Sequence, residues 1–293
     1  MSEQGRPPLQ ALAGDAAQLD RVFVVYGQHL WDSGRSQAEF VELLNGVGKL
    51  FSAVKGRLHG AWDIRSAWQA LEPGTNRAPV PATLLRAMMA IAWLWGWHEF
   101  ASLLALAFEA CLRPGDVLHL GRADLRFCDE HGGGPSCSDL FVILRFSKTA
   151  LVRGARWQHV RVACHGTIAL MRKQFGSREP AAMLFTHAGA HAQRARAFGA
   201  RFLAVLAFLQ VPYGEQDGFV PSGLRAGGIT AFFMEHEDLG LTRWRGRWDN
   251  ARSMEHYVQE LPYHSAFSSL PARVRARVFA YARLLPSVLA SSG

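Results

Sequence analysis

The sequence predicts a mainly α (α+β) protein in two parts: an N-terminal helical bundle, then a mixed helical domain with a small antiparallel β-hairpin. Three observations carry this. Apolar residues recur at helical spacing over most of the 293 residues, a proline- and glycine-rich break falls at 72–82, and two strand-like runs flank a basic turn. Apolar residues make up 49% of the chain and charged residues 19%, a balance able to bury a core.

The bundle is read from three patterns. Leu19, Val22, Val25 and Tyr26, continued by Leu30 and Trp31, mark one helical face. Phe40, Leu43, Leu44 and Val47 mark a second, with Ser36 ahead of it and Glu39 three residues on, the pattern of a capping box. Ala61, Trp62, Ile64 and Trp68 mark a third. This gives a helical domain over 1–72, and the stretch EPGTNRAPVPA gives a linker over 73–82.

The second domain is expected over 83–270. The apolar stretch 84–112 is interrupted by Arg86, His98, Glu99 and Glu109. It therefore falls short of the ~20 apolar residues of a membrane span, reads as two buried helices, and implies no membrane partner. It stops at Arg113-Pro114-Gly115. LFVILRF (140–146) and WQHVRVAC (157–164) then read as strands around a turn containing Lys148. Further helices are expected near 166–174, 195–209, 227–235 and 253–259, followed by an amphipathic C-terminal helical tail within 271–293.

Residues 1–82 carry balanced charge, so the whole formal +8 of the chain sits after them. A basic domain joined to a neutral one points to a polyanion. Cys111, Cys128, Cys137 and Cys164 form no C-x-x-C pair and are expected as reduced thiols. His187 and His191 stand four apart beside Gly189 with no third ligand in view, so no metal or other cofactor is expected. The N-terminal MSEQGRPPLQ lacks a basic-then-apolar leader pattern. That suggests an intracellular protein, nuclear in a eukaryote and otherwise in cytoplasm or nucleoid.

Four separated segments together resemble the catalytic domain of tyrosine recombinases and phage-type integrases. LALAFEACLRPGDVLHL (104–120) places Arg113 after an apolar helix and before an acidic residue and Leu-x-x-Leu. The hairpin supplies Lys148. PSGLRAGGIT (221–230) matches the family's His-x-Leu-Arg box with Arg225 as the arginine, and RGRWDNARSMEHYVQ (245–259) puts Tyr257 nine residues after Trp248. The resemblance covers about 83–262; the bundle matches the family's core-binding domain in position and helicity alone. It implies a tyrosine recombinase-like fold whose two domains clamp duplex DNA, in a synapse of four self-associated protomers. The implied activity is cutting and rejoining DNA through a 3′-phosphotyrosyl intermediate, as in integration or mobile-element recombination.

The chemistry explains the residue types. In-line attack on a phosphodiester builds charge on its nonbridging oxygens, and a metal-free site must hold that charge with fixed cations. Planar guanidiniums suit this, a role for Arg113 and Arg225, with the Trp248 indole N–H as an added donor. The leaving 5′ oxygen needs a proton, which arginine does not release and lysine can. Of the basic residues after position 82 only Lys148 and Lys173 are lysines, so a lysine in the hairpin fits a general acid. Tyr257 is the nucleophile, and the covalent link conserves the bond energy without ATP or metal. The sequence departs from the family at Ser222, where a proton-shuttling histidine is usual. A serine can donate to phosphate but is a poor base, which opens an alternative: a catalytically inactive DNA-binding relative of the same fold.

Overall fold

A computed structural model describes residues 14–72, 77–131, 138–145, 158–214, 218–249 and 251–291. They divide into two compact units, 1–75 and 76–293. The first contains α1 (Ala16–Asp32), α2 (Gln37–Leu50) and α3 (His59–Leu71). Their apolar faces close on one core of Leu19, Phe23, Leu30, Phe40, Leu44, Val47, Ala61 and Trp68; the face predicted for α1 is corrected, since Val22, Val25 and Tyr26 are exposed and Phe23 takes the inward position one turn after Leu19. Asp20 on α1 ties the bundle together. Its two carboxylate oxygens accept the Gly60 and Ala61 N–H groups at 2.9 Å each, satisfying amides that the first turn of α3 leaves unpaired and placing a negative charge at that helix's positive end. Ser36 caps α2 through the Ala38 N–H at 3.1 Å. The reciprocal half of the expected capping box is replaced: Glu39 forms an ion pair with Arg35 at 2.6 Å.

The second unit contains α4 (Ala82–Leu94), α5 (His98–Glu109), the single turn α6 (Pro114–Val117), β1 (Leu125–Phe127), β2 (Leu140–Leu144) and β3 (Gln158–Val162). It continues with α7 (His165–Phe175), α8 (His191–Leu209), α9 (Gly223–His236), α10 (Leu239–Gly246), α11 (Arg252–Glu255), α12 (Glu260–Ser265) and α13 (Ala272–Ala290). The mainly α (α+β) class is therefore the one observed. The strands form an antiparallel sheet in the order β1-β2-β3, with Val142 opposite Val160. Leu140, Val142 and Leu144 alternate into the core, the period-2 pattern of a half-buried strand. β1 extends the predicted hairpin by a third strand.

Helix α5 is buried on every side from Phe100 to Phe108 and is enclosed by α4, α7 and α9. An all-apolar helix can be stable in water only if so enclosed. The C-terminal α13 lies along α4 and buries Val274, Val278, Ala282, Leu285 and Val288 in the same core, so its amphipathic stripe is covered within the chain. The Pro-rich stretch ends with Val80 fully buried and its N–H bonded to the Gly223 carbonyl at 3.0 Å. Val80 is thus part of the second unit's core. Cys111 and Cys164 are free thiols, but Cys128 is disulfide-bonded, which corrects the expectation of four reduced cysteines. Among the described residues no helix is long and apolar enough to cross a membrane.

Glycines set how closely α9 approaches its neighbours. A Cβ at Gly227 would run into the Val80 carbonyl, and one at Gly228 into the Phe108 carbonyl. Both obstacles are backbone, which cannot swing aside as a side chain can. Gly228→Ala is expected to cost about 1–3 kcal/mol of stability by forcing α9 away from α5, read as a lower denaturation midpoint. An unchanged midpoint would show that the contact yields.

Candidate nucleic-acid cleavage site

The site is built where α5 ends. The last carbonyls of a helix have no intrahelical partner and carry its negative partial charge. Here arginines meet them. Arg245 Nη2 donates to the Glu109 carbonyl at 2.5 Å. Arg247 donates to Ala110 at 3.3 Å and Cys111 at 3.1 Å. Arg225 Nη1 donates to the same Cys111 carbonyl at 2.6 Å, and its Nη2 to the Gly246 carbonyl at 2.5 Å. A cation at a helix C-terminus contributes about 0.3–1 kcal/mol, and up to ~2 kcal/mol where partly buried.

Arg225 is 1% exposed, the largest fully buried side chain among the described residues. It projects from α9 with its Cζ 4.7 Å from the Trp248 ring centre and 5.3 Å from that of Tyr257. The two rings are 4.9 Å apart, inclined at 45°. A cation over aromatic faces is attracted by their quadrupoles, so the three side chains hold one another. Gly246 allows this, because the Trp248 indole occupies the space a Cβ there would need.

Tyr257 is positioned through its backbone. The Thr230 hydroxyl, fully buried on α9, donates to the Tyr257 carbonyl at 2.9 Å and accepts the Gln259 N–H at 3.1 Å. The half-buried phenol ring is thereby fixed beside Arg225.

Arg113 follows α5 after Cys111, whose φ of +50° turns the chain. Its N–H donates to Asp116 Oδ2 at 3.3 Å. Its guanidinium makes no hydrogen bond or ion pair among the described residues and lies close enough to Arg225 to repel its charge. Burial, then Arg113, pushes the Arg225 guanidinium below the usual arginine range. Burial and the neighbouring Arg225 likewise bring Arg247 down to about 9. Among the described residues Asp116 lies beside them, 3.9 Å from Arg247, and the Glu109 carboxylate faces Arg245, so the four arginines outnumber the two carboxylates. The Nε atoms of Arg225, Arg245 and Arg247 are buried without a hydrogen-bond partner. A buried unsatisfied donor costs about 1–3 kcal/mol. Excess positive charge and unused donors together suit an anion.

Of the residues singled out in the sequence, Arg225, Trp248 and Tyr257 are in contact, and Arg113 lies within electrostatic reach. Ser222 immediately precedes α9, one turn before Arg225, and its side chain makes no capping bond to the helix. Lys148 lies outside the described residues. His191 begins α8 and stacks on His119 with ring centres 4.0 Å apart. Among the described residues no group of three His, Cys, Asp or Glu side chains is placed to hold a metal. Arg245, Arg247 and Thr230 were not singled out. The signal for the arginines was the basic pair flanking Gly246 in RGRW.

Family models and curated proteins give no match to the chain. Among solved structures it is similar to XerA recombinase, with a TM-score of 0.47 and 12% identity over 87% of this chain and 92% of that one. It is also similar to XerH site-specific recombinase bound to difH substrate in a pre-cleavage complex, with a TM-score of 0.45 and 13% identity over 80% and 69% of the two chains. The post-cleavage XerH complex with palindromic difH gives 0.45 and 14% over 80% and 70%.

Proposed function

We propose that this chain is a DNA strand transferase of the tyrosine recombinase type, acting on duplex DNA. The observation that carries the reading is the buried Arg225, stacked on Tyr257, with unused donor capacity in a cluster where cations exceed anions.

In this reading the scissile phosphodiester enters between Arg113 and Arg225. The Tyr257 Oη attacks phosphorus in line with the 5′ oxygen and releases its proton to water as the new O–P bond forms. The P–O5′ bond breaks, and Lys148 gives the leaving oxygen its proton. The product is a 3′-phosphotyrosyl link and a free 5′ hydroxyl. Attack by a 5′ hydroxyl reverses the step, so strands are exchanged without an energy source. Self-association into a four-protomer synapse completes the proposal.

The test is a denaturing gel after incubating wild type and Tyr257→Phe, without added metal, with a library of nicked duplexes. A covalent adduct from wild type alone is expected. Ser222, in place of a proton-shuttling histidine, favours a second reading, a catalytically silent DNA-binding relative. Salt-sensitive DNA binding with no adduct from either protein would establish that one and remove the first.

A further inference from the structure

We propose that Arg247 is a third cation of this site, a positioning residue that locks Arg225 in place and adds its charge to the field acting on a bound phosphodiester. The inference rests on the reading of the site as one that takes a phosphodiester.

The geometry comes first. Arg247 has φ +58°, a left-handed conformation uncommon for residues other than glycine, asparagine and aspartate and informative where it occurs. The backbone turn reverses the chain after α10 and sends the side chain inward, where it is 8% exposed. The residues on either side of it both grip Arg225: Gly246 through its carbonyl and Trp248 through its ring. Arg247 itself shares the Cys111 carbonyl with Arg225. The segment 246–248 is therefore one cradle around Arg225, anchored to the end of α5 by the Arg247 guanidinium.

A neutral side chain would anchor that turn with less electrostatic cost. The charged groups facing Arg247 are Arg225 from α9, Arg113 and Asp116 from the turn after α5, and the Cys111 thiol between them, with Tyr257 beyond Arg225. Two of these are cations, and one carboxylate opposes them. Arg247 and Arg225 both keep a buried, unpartnered Nε. Like charges held together with unused donors are stabilised when an anion arrives.

The test uses the full chain with Arg247→Met and Arg247→Lys. Sulfate is the probe for the anion, followed by calorimetry at neutral pH. Nicked duplex is the probe for chemistry. For Arg247→Met the expected results are sulfate affinity lowered about tenfold and adduct formation slowed about a hundredfold. For Arg247→Lys, charge is kept but the planar fork is lost. Sulfate affinity should stay within about threefold, while adduct formation falls at least about tenfold. If Arg247→Met does not fold, the lysine variant alone decides, through that split between binding and rate. Folded variants equal to wild type in both assays overturn the proposal. If wild type forms no adduct, strand cleavage is wrong, yet the sulfate arm still decides Arg247: an affinity that depends on it supports the role, and independence removes it.

Discussion

Arg225→Lys is expected to slow adduct formation by about a hundred- to a thousandfold, the usual effect of losing one preorganised donor to developing charge, while the protein stays folded. The substitution conserves the charge and tests the geometry. Arg225 serves two carbonyls at once, Cys111 at 2.6 Å and Gly246 at 2.5 Å, while its flat face lies against Trp248 and Tyr257. A lysine ammonium is a point donor and cannot span both carbonyls and also stack. Because Arg247 also serves the Cys111 carbonyl, the Gly246 carbonyl is the one at risk: an ammonium placed on Cys111 leaves it unsatisfied, at a cost of about 1–3 kcal/mol, and the loop carrying Trp248 loses a tether. Measured by single-turnover adduct formation and denaturant midpoint, the variant should show a modest loss of stability and a much larger loss of rate. A lysine variant that cleaves within a few-fold of wild type would mean that charge alone suffices, and that the stacked guanidinium is a packing device.

How far the sequence foretold this site depends on which forces placed each residue. The helices α1 to α5 follow from apolar spacing, because burial of a helical face is encoded locally. The hairpin strands follow from alternation. β1 was missed because Leu125–Phe127 is three residues long, too short for any period to show; its pairing with β2 is what makes it a strand. Helix α10 was missed because it carries little buried surface: Trp244, Leu239 and Leu241 are exposed.

Tyr257, Trp248 and Arg225 were legible through spacing shared with a known family. Arg245 and Arg247 were not, for a physical reason. Each is tied to carbonyls more than 130 residues away, and arginines are mostly surface residues. Nothing local distinguishes an arginine that caps a distant buried helix end from one in solvent. Thr230 was hidden in the same way, since its hydroxyl serves the backbone of a segment 27 residues on.

Lys148→Ala is expected to depress cleavage of ordinary DNA by about a hundred- to ten-thousandfold, the range of general acid catalysis, and to leave DNA with a 5′-bridging sulfur cleaved within about tenfold of wild type. Breaking the P–O5′ bond releases an alkoxide, a poor leaving group that must receive a proton as it departs. A thiol is far more acidic, with a pKa of about 8.5 for a free cysteine, so a thiolate leaves unaided. The sulfur substrate removes the need for an acid and leaves every other demand in place: the attack by Tyr257 and the charge on the nonbridging oxygens held by Arg113 and Arg225. Rescue therefore separates a proton donor from a lysine that only attracts the backbone, because the latter's loss would weaken both substrates alike. It also bears on Ser222. If Lys148→Ala is rescued by sulfur while wild type remains slow on both substrates, the limiting step is deprotonation of Tyr257, the step a histidine at 222 would assist. If wild type is fast on the oxygen substrate, this site cleaves DNA without the help of that histidine.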